Sequence, residues 1–336
     1  MKIALPFFAI AAIVAVIYSG VKFYNLQIFF GIVLPYICFT LAIVGFIARI
    51  IKWAVSPVPF HITTVCGQQK SLPWISHSKI ESPTTGMGVL LRVIGETIVF
   101  RSLFRNDRAS LYKDKSRVIY SSDKLLWAGA LLFHWFLFII VLRHLRLFLE
   151  PVPYWVITLQ NMDGILETTI PGVYISNVIV SLSVLYLILR RFRSRIRYIS
   201  LPADYFILFL LGSIILSGIL MRHIYRVDIL DAKAFIMGLI YLKPLVHEGL
   251  GAMFYVHLGL VSVLFMYIPH SKLMHMAGIF LSPTRNLKND SRMKRHINPW
   301  GYPVKEHTYE EWEEEFKDAL KEAGIPLEGE DVRLRQ

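Results

Sequence analysis

Eleven histidines occur in this 336-residue chain, and four of them fall inside or beside long apolar stretches. His134 and His144 bound the string HWFLFIIVLRH, and His257 and His275 bound HLGLVSVLFMYIPHSKLMH. Ionisable side chains inside a membrane span cost free energy and mark functional sites by default. A neutral imidazole is also the commonest protein metal ligand. Imidazoles on facing helices can grip a haem iron from both sides. Interhelical hydrogen bonding, as transport proteins use it, is the competing role for a histidine so placed.

Other redox chemistry is narrowed by the cysteines, of which there are two, Cys38 and Cys66. Cys38 sits in an apolar run and Cys66 in a polar loop, which argues against a disulfide between them. No Cys-x-x-Cys-His string occurs, so covalent c-type haem is excluded, and two thiols cannot hold an iron–sulfur cluster alone. Metal chemistry here rests on histidine.

The elements that must carry these histidines are membrane helices. Hydrophobic residues make up 55% of the chain and charged residues 18%; the mean hydropathy is +0.51. Six apolar runs approach the roughly 17–25 residues that cross a bilayer as helix. They are Ile3–Val21, Ile28–Ile51, Leu125–Phe148, Val173–Leu189, Ala203–Met221 and Leu250–Leu273. The first follows Lys2 like a signal peptide, but it has a poor small-x-small cleavage site and a second span follows at once. Ile229–Leu242 is shorter and holds Asp231 and Lys233, which suits an interfacial or re-entrant segment. The expected fold is an all-α integral membrane bundle of about six transmembrane helices with a short soluble C-terminal tail.

Spacing tests the histidine reading. Ten positions on span three separate His134 and His144 by roughly 15 Å along a helix, which fits two stacked haems. The last span runs antiparallel to span three. His144 therefore pairs with His257, and His134 with a histidine at the far end of the last span. His270 and His275 both stand there. Eighteen positions from His257 to His275 would cover roughly 27 Å in a straight helix, so Pro269 is expected to kink it.

The formal net charge of +12 is topological. Lys and Arg crowd the loop Lys52–Lys124, the RRFRSRIR turn from Arg190, and the stretch Lys288–Arg295. Six spans put all three on one side with both termini. The positive-inside rule makes that side the cytoplasm of a cytoplasmic (inner) membrane protein, and nucleic acid is not needed to explain the charge. Four stretches follow: 1–52 as two N-terminal helices, 53–124 as a cytoplasmic loop, 125–285 as the histidine-bearing domain, and 286–336 as a tail. Within the loop, Gly86–Phe104 mixes apolar and basic residues as an interfacial helix does. Its Gly86-x-Gly88 lacks the spacing of a phosphate loop. In the tail, Thr308-Tyr309-Glu310-Glu311 has capping-box form. Tyr309, Trp312, Phe316, Leu320 and Ala323 recur at helical spacing up to Gly324.

His257 to His275, with Pro269 and Ser271-Lys272-Leu273 between them, resembles the last helix of the respiratory nitrate reductase gamma subunit. His134 to His144 resembles an earlier helix of that family. The similarity covers roughly residues 120 to 285. The extra N-terminal helix, long loop and acidic tail look more like the M subunit of the Dsr complex (DsrM), a family of dissimilatory sulfur metabolism and sulfate respiration. Its relatives include heterodisulfide-reductase-like menaquinol oxidoreductases. The resemblance implies a di-haem cytochrome b subunit whose ligands are His134, His144, His257 and His275, with His270 left out. It implies menaquinol oxidation near the outer haem and electrons passed to a cytoplasmic iron–sulfur subunit. Outer-side candidates for the quinol chemistry are His247 and Glu248, with His223, Asp163 and Lys243 nearby in the sequence pattern. Arg143 and Arg146, beside His144, are candidates for haem propionates; Lys272 and the arginines after span four could serve the inner haem similarly. A histidine-dependent transporter and a passive membrane anchor for a soluble enzyme are the other classes this pattern admits; haem content separates them.

Overall fold

The computed structural model describes residues 2–56, 67–105, 108–112, 117–247, 249–281, 286–293 and 306–328. Cys66, Glu248, Lys294 and Arg295 thus lie outside the described residues. Two compact units are present, Met1–Asp290 and Ser291–Gln336.

The first unit is an all-α membrane bundle. It opens with α1 (Ala4–Tyr24) and α2 (Leu34–Ala54), followed by the short α3 (Gly86–Ile98). Then come α4 (Lys124–His144), α5 (Tyr154–Asp163), α6 (Ile175–Phe192), α7 (Ser194–Ile199) and α8 (Pro202–His223). α9 (Ile229–Ile240), α10 (Ala252–Tyr267) and α11 (His275–Leu281) complete it. With their flanking turns, α1, α2, α4, α6, α8 and α10 are, among the described residues, the six helices long and apolar enough to cross a membrane. A hairpin of β1 (Arg108–Tyr112) and β2 (Arg117–Ser121) interrupts the all-helical pattern in the basic loop, where the charges masked its alternation.

The bundle has two cores that share one helix. Ile10, Ile17, Phe30, Phe235, Tyr255 and Leu260 knit α1, α9 and α10 to the residues around α2 and to Leu210 of α8. Phe133, Val180, Val184 and Leu211 knit α4, α6 and α8. Small residues allow the close approaches, as membrane helices require where no hydrophobic force drives association. At Gly129 on α4, a Cβ would lie 2.6 Å from Tyr186 Cδ1 on α6. At Gly31, one would lie 2.7 Å from Tyr255 Cε1. Gly31 falls in a π turn, Phe29–Val33, in which Leu34 N–H reaches back to Phe29 O. Pro35 supplies the cause: it has no N–H to give Gly31 O, so the ladder widens by one residue.

Three expectations are refined. Ile229–Leu242 forms α9 over Ile229–Ile240, which buries Ala232, Phe235 and Ile236 against α10. Gly86–Phe104 forms α3 and a 3-10 turn at Arg101–Phe104. Its buried face holds Val89, Arg92 and Glu96, and its exposed face is Met87, Leu90, Leu91 and Ile94. The Trp127 and Trp135 indoles of α4 donate to Val99 O at 2.7 Å and Ile98 O at 2.9 Å, carbonyls that the end of α3 leaves unpaired. The last span ends sooner than Leu273: helix gives way at Ile268–His270 and breaks at Ser271, whose backbone is extended (φ −120°, ψ 177°).

The second unit contains α12 (Tyr309–Glu322), capped as its sequence requires. Thr308 Oγ1 accepts from Glu311 N at 3.2 Å, and the Glu311 carboxylate accepts from Thr308 N at 3.3 Å. Gly324 ends it in the left-handed region (φ 72°). Tyr309, Trp312 and Phe316 form one exposed aromatic row.

Replacing Gly129 with leucine should separate α4 from α6 and cost about 1–3 kcal/mol. A lowered unfolding temperature of the detergent-solubilised protein is the expected reading; an unchanged one would mean that Tyr186 swings aside freely.

Candidate functional site

The four histidines meet in two places. At the end of the bundle that carries the basic loops, the His134 and His275 ring centres stand 6.0 Å apart. At the opposite end, His144 and His257 lie close enough to interact electrostatically. The apparent excess of rise on the last span disappears in its geometry. Ten residues of α10 carry the chain from His257 to Tyr267, matching the ten between His134 and His144. The 3-10 turn, the break at Ser271 and a second 3-10 turn, Lys272–Met274, then spend the remaining residues without a continuous α-helical advance. His270 belongs to the other side of the helix, where its Nε2 would lie 3.4 Å from a Cβ on Gly45 of α2.

Each imidazole is held by its Nδ1. His134 Nδ1 donates to Ala130 O at 2.7 Å and His144 Nδ1 to Ile140 O at 2.7 Å, each four residues back on α4. His275 Nδ1 donates to Lys272 O at 2.8 Å. His257 Nδ1 lies 2.9 Å from Ser217 Oγ of α8. That hydroxyl gives its own proton to Ile214 O at 2.9 Å, so it accepts from the imidazole. Carbonyls cannot donate, so these partners fix the proton on Nδ1 and leave Nε2 as a lone-pair ligand in all four rings.

Whether these residues suit a metal porphyrin can be tested on distance and packing. A ligating nitrogen sits about 2 Å from its metal and the ring centre roughly 1 Å behind, so two rings sharing one metal stand about 6 Å apart. The His134–His275 separation has this value. α4 packs on α6, α6 on α8 and α8 on α10, yet α4 and α10 share no extended packing among the described residues. The two ligand-bearing helices are thus held apart by a third and fourth. Two buried guanidinium nitrogens, Arg143 Nε and Arg190 Nε, have no hydrogen-bond partner among the described residues. The Nδ1-held donor set at both pairs, and the ring spacing of His134 and His275, suit a haem iron.

Phe100 was not visible in the sequence pattern as part of this site. It takes a left-handed conformation (φ 51°) and sets its ring edge-on to His134, with centres 5.0 Å apart. A bulky residue rarely adopts that conformation, and no local motif signals it. Ser217 left a fainter mark, as one of the two serines of α8, the other being Ser213.

The other candidates are placed as follows. Arg143 binds Asp163 and Ser176 Oγ, and its guanidinium lies 3.4 Å over the Tyr174 ring. Arg222 covers the same ring at 4.1 Å and pairs with Glu167. Asp163 is buried and also accepts from Ser176 N at 2.7 Å, closing the start of α6. It is therefore engaged in tying α5 to α6. Arg146 donates to Gln160 Oε1 at 2.6 Å. His247 Nδ1 lies 3.7 Å from Asp231 Oδ1 on α9. His223 is exposed beside Gly172, and Lys243 is exposed with its backbone N–H closing α9 on Gly238 O. Lys272 pairs with Asp204, Arg191 approaches the same carboxylate, and Arg190 approaches Asp123.

Residues 89–294 match the nitrate reductase gamma subunit family. All four histidines fall inside that stretch, and α1 and α2 outside it. A protein of Archaeoglobus fulgidus described as an Hdr-like menaquinol oxidoreductase cytochrome b-like subunit is 41% identical over 281 residues, covering 81% of this chain and 83% of its own. A protein of the same description from Archaeoglobus profundus is 40% identical over 283 residues, covering 82% and 83%.

Removing one partner of a buried ion pair strands the other. Asp163→Ala should therefore cost about 3–5 kcal/mol, read as a lower unfolding temperature in detergent. Glu167→Ala, which removes a half-exposed pair, should cost about 1 kcal/mol or less. Equal effects would show that Arg143 finds another partner.

Proposed function

The chain belongs to the nitrate reductase gamma subunit family, and from that premise we propose that it is a di-haem cytochrome b subunit of a membrane redox complex. It oxidises menaquinol near one end of the bundle and passes electrons to an iron–sulfur subunit at the other, in a Dsr-type complex of dissimilatory sulfur metabolism. The observation that carries this reading is the set of four imidazoles, each with Nδ1 held and Nε2 left as ligand, with His134 and His275 ring to ring and His144 and His257 near one another at the other end. The descriptions of the Archaeoglobus relatives support the cytochrome b and menaquinol assignments.

His144 and His257 hold the outer haem and His134 and His275 the inner one, in the orientation that puts the basic loops and both termini in the cytoplasm. Bound haem supplies one-electron carriers at two depths of the membrane. The residues do the rest. α4 sets the depth of two ligands through one continuous helix. Arg143 keeps Nε for a propionate of the outer haem, and Arg146 stands one turn further out. Quinol gives up two protons with its two electrons, so an acceptor must stand at the outer end. His247 takes that role, steadied by Asp231; Glu248 is adjacent in the chain. Phe100 sets its ring against His134 from the loop side.

A pyridine haemochrome assay should find two b haems per chain. His144→Ala and His257→Ala should each remove the same haem, and His134→Ala and His275→Ala the other. A menaquinol analogue should reduce the haems of the intact complex. Absence of haem, or loss of one and the same haem from the His134 and His144 variants, would refute the proposal.

A further inference from the structure

The last span supplies two of the four imidazoles, but neither is oriented by α10 alone. His257 hands its Nδ1 proton to Ser217 of α8 at 2.9 Å. At the other end of the same helix, Asp204 Oδ1 accepts from Lys272 Nζ at 2.7 Å, and Lys272 O accepts from His275 Nδ1 at 2.8 Å. α8 carries no histidine of the four. It bonds one ligand of the last span, His257, directly and reaches the other, His275, through Lys272.

Asp204 is built into its place. It is 4% exposed. Its Oδ2 accepts from Leu201 N at 3.0 Å, closing the first turn of α8, and lies 3.6 Å from Arg191. A buried carboxylate of this kind is costly without a cation, so Lys272 is held to it. Lys272 is the first residue after the break at Ser271, where the α-helical ladder has ended and only 3-10 bonds, Ser271 N to Ile268 O and Met274 N to Ser271 O, continue. Ser271 secures only the joint itself, donating to Ile268 O at 3.1 Å and accepting from Leu273 N at 3.1 Å. The tie to Asp204, with the buried Met274 side chain, joins the displaced turn to the bundle. At the other end, Ser217 is held by its bond to Ile214 O, and Gly218 lies against His257, where a Cβ would touch Cε1 at 3.4 Å.

We propose that α8 is the positioning helix of the site, with Ser217 setting the outer ligand His257 and Asp204, through Lys272, setting the inner ligand His275. This rests on the haem reading above. An acceptor on Nδ1–H makes the imidazole a stronger donor to iron and favours the ferric state. Its loss raises the midpoint potential of the haem concerned. Loss of the Asp204 charge acts in the same direction on the inner haem.

The test is a redox titration with low-spin ferric EPR on the intact complex in membranes. Ser217→Ala should raise the potential and move the EPR signal of one haem, the one lost from His257→Ala. Asp204→Asn should do so for the other, the one lost from His275→Ala. Ser217→Thr and Asp204→Glu should restore each. Should Asp204→Asn fail to assemble, Lys272→Met, which leaves Asp204 with Arg191, must still move the inner signal. Two-haem variants with unmoved potentials and signals would overturn this inference alone, as would a disturbance of both haems by either substitution. Fewer than two haems in the unaltered protein would overturn the reading beneath it and this inference with it.

Discussion

One unbroken helix fixes the spacing at which everything else must work. Lys124–His144 runs without interruption, so His134 and His144 stand roughly 15 Å apart in depth and cannot adjust. The last span must deliver two imidazoles to the same two depths while approaching from the opposite direction. It does so by being helical only as far as Tyr267 and then turning aside. Pro269, Ser271 and the short turn to Met274 are departures from regular structure that this constraint demands. The helices between, α6 and α8, act as spacers that keep α4 and α10 from collapsing onto each other.

The burial of polarity follows the same logic. Imidazole nitrogen in an apolar bundle is destabilising unless bonded, and each ring here spends Nδ1 on a carbonyl or hydroxyl. The partner also decides which nitrogen carries the proton, so one bond satisfies burial and sets ligand chemistry together. Arg143 and Asp163 show the pattern away from the rings: a buried pair, an aromatic face and a helix start are met by one cluster.

Much of this was legible in the residues. Run length located six spans to within a few positions, because a bilayer leaves helix as the only open-chain answer. The helical stripe of α12 and its capping box were equally plain, since both are local. Direction set His144 toward His257 and His134 toward the far end of the last span, where the family resemblance favoured His275 over His270. What escaped was non-local or small. The hairpin Arg108–Ser121 hid in charge, and Phe100 reaches His134 only through a left-handed backbone. Asp231 as the neighbour of His247 depends on how α9 folds back. The Asp163 network joins residues separated by a loop, and nothing in its spacing distinguishes a structural carboxylate from a proton carrier. The length of α10 was overread because apolar composition continues past the point where the backbone breaks.

The Nδ1 bonds also differ in what must exist before they can form. On α4 the acceptors Ala130 and Ile140 are one turn away in the same helix, so those two imidazoles are oriented as soon as α4 is made. His257 waits for α8, and the tie that seats the His275 turn waits for the first turn of α8 to meet a segment synthesised some seventy residues later. The two rings of α4 thus owe their orientation to one helix, whereas the seating of the two on the last span is written in contacts between helices.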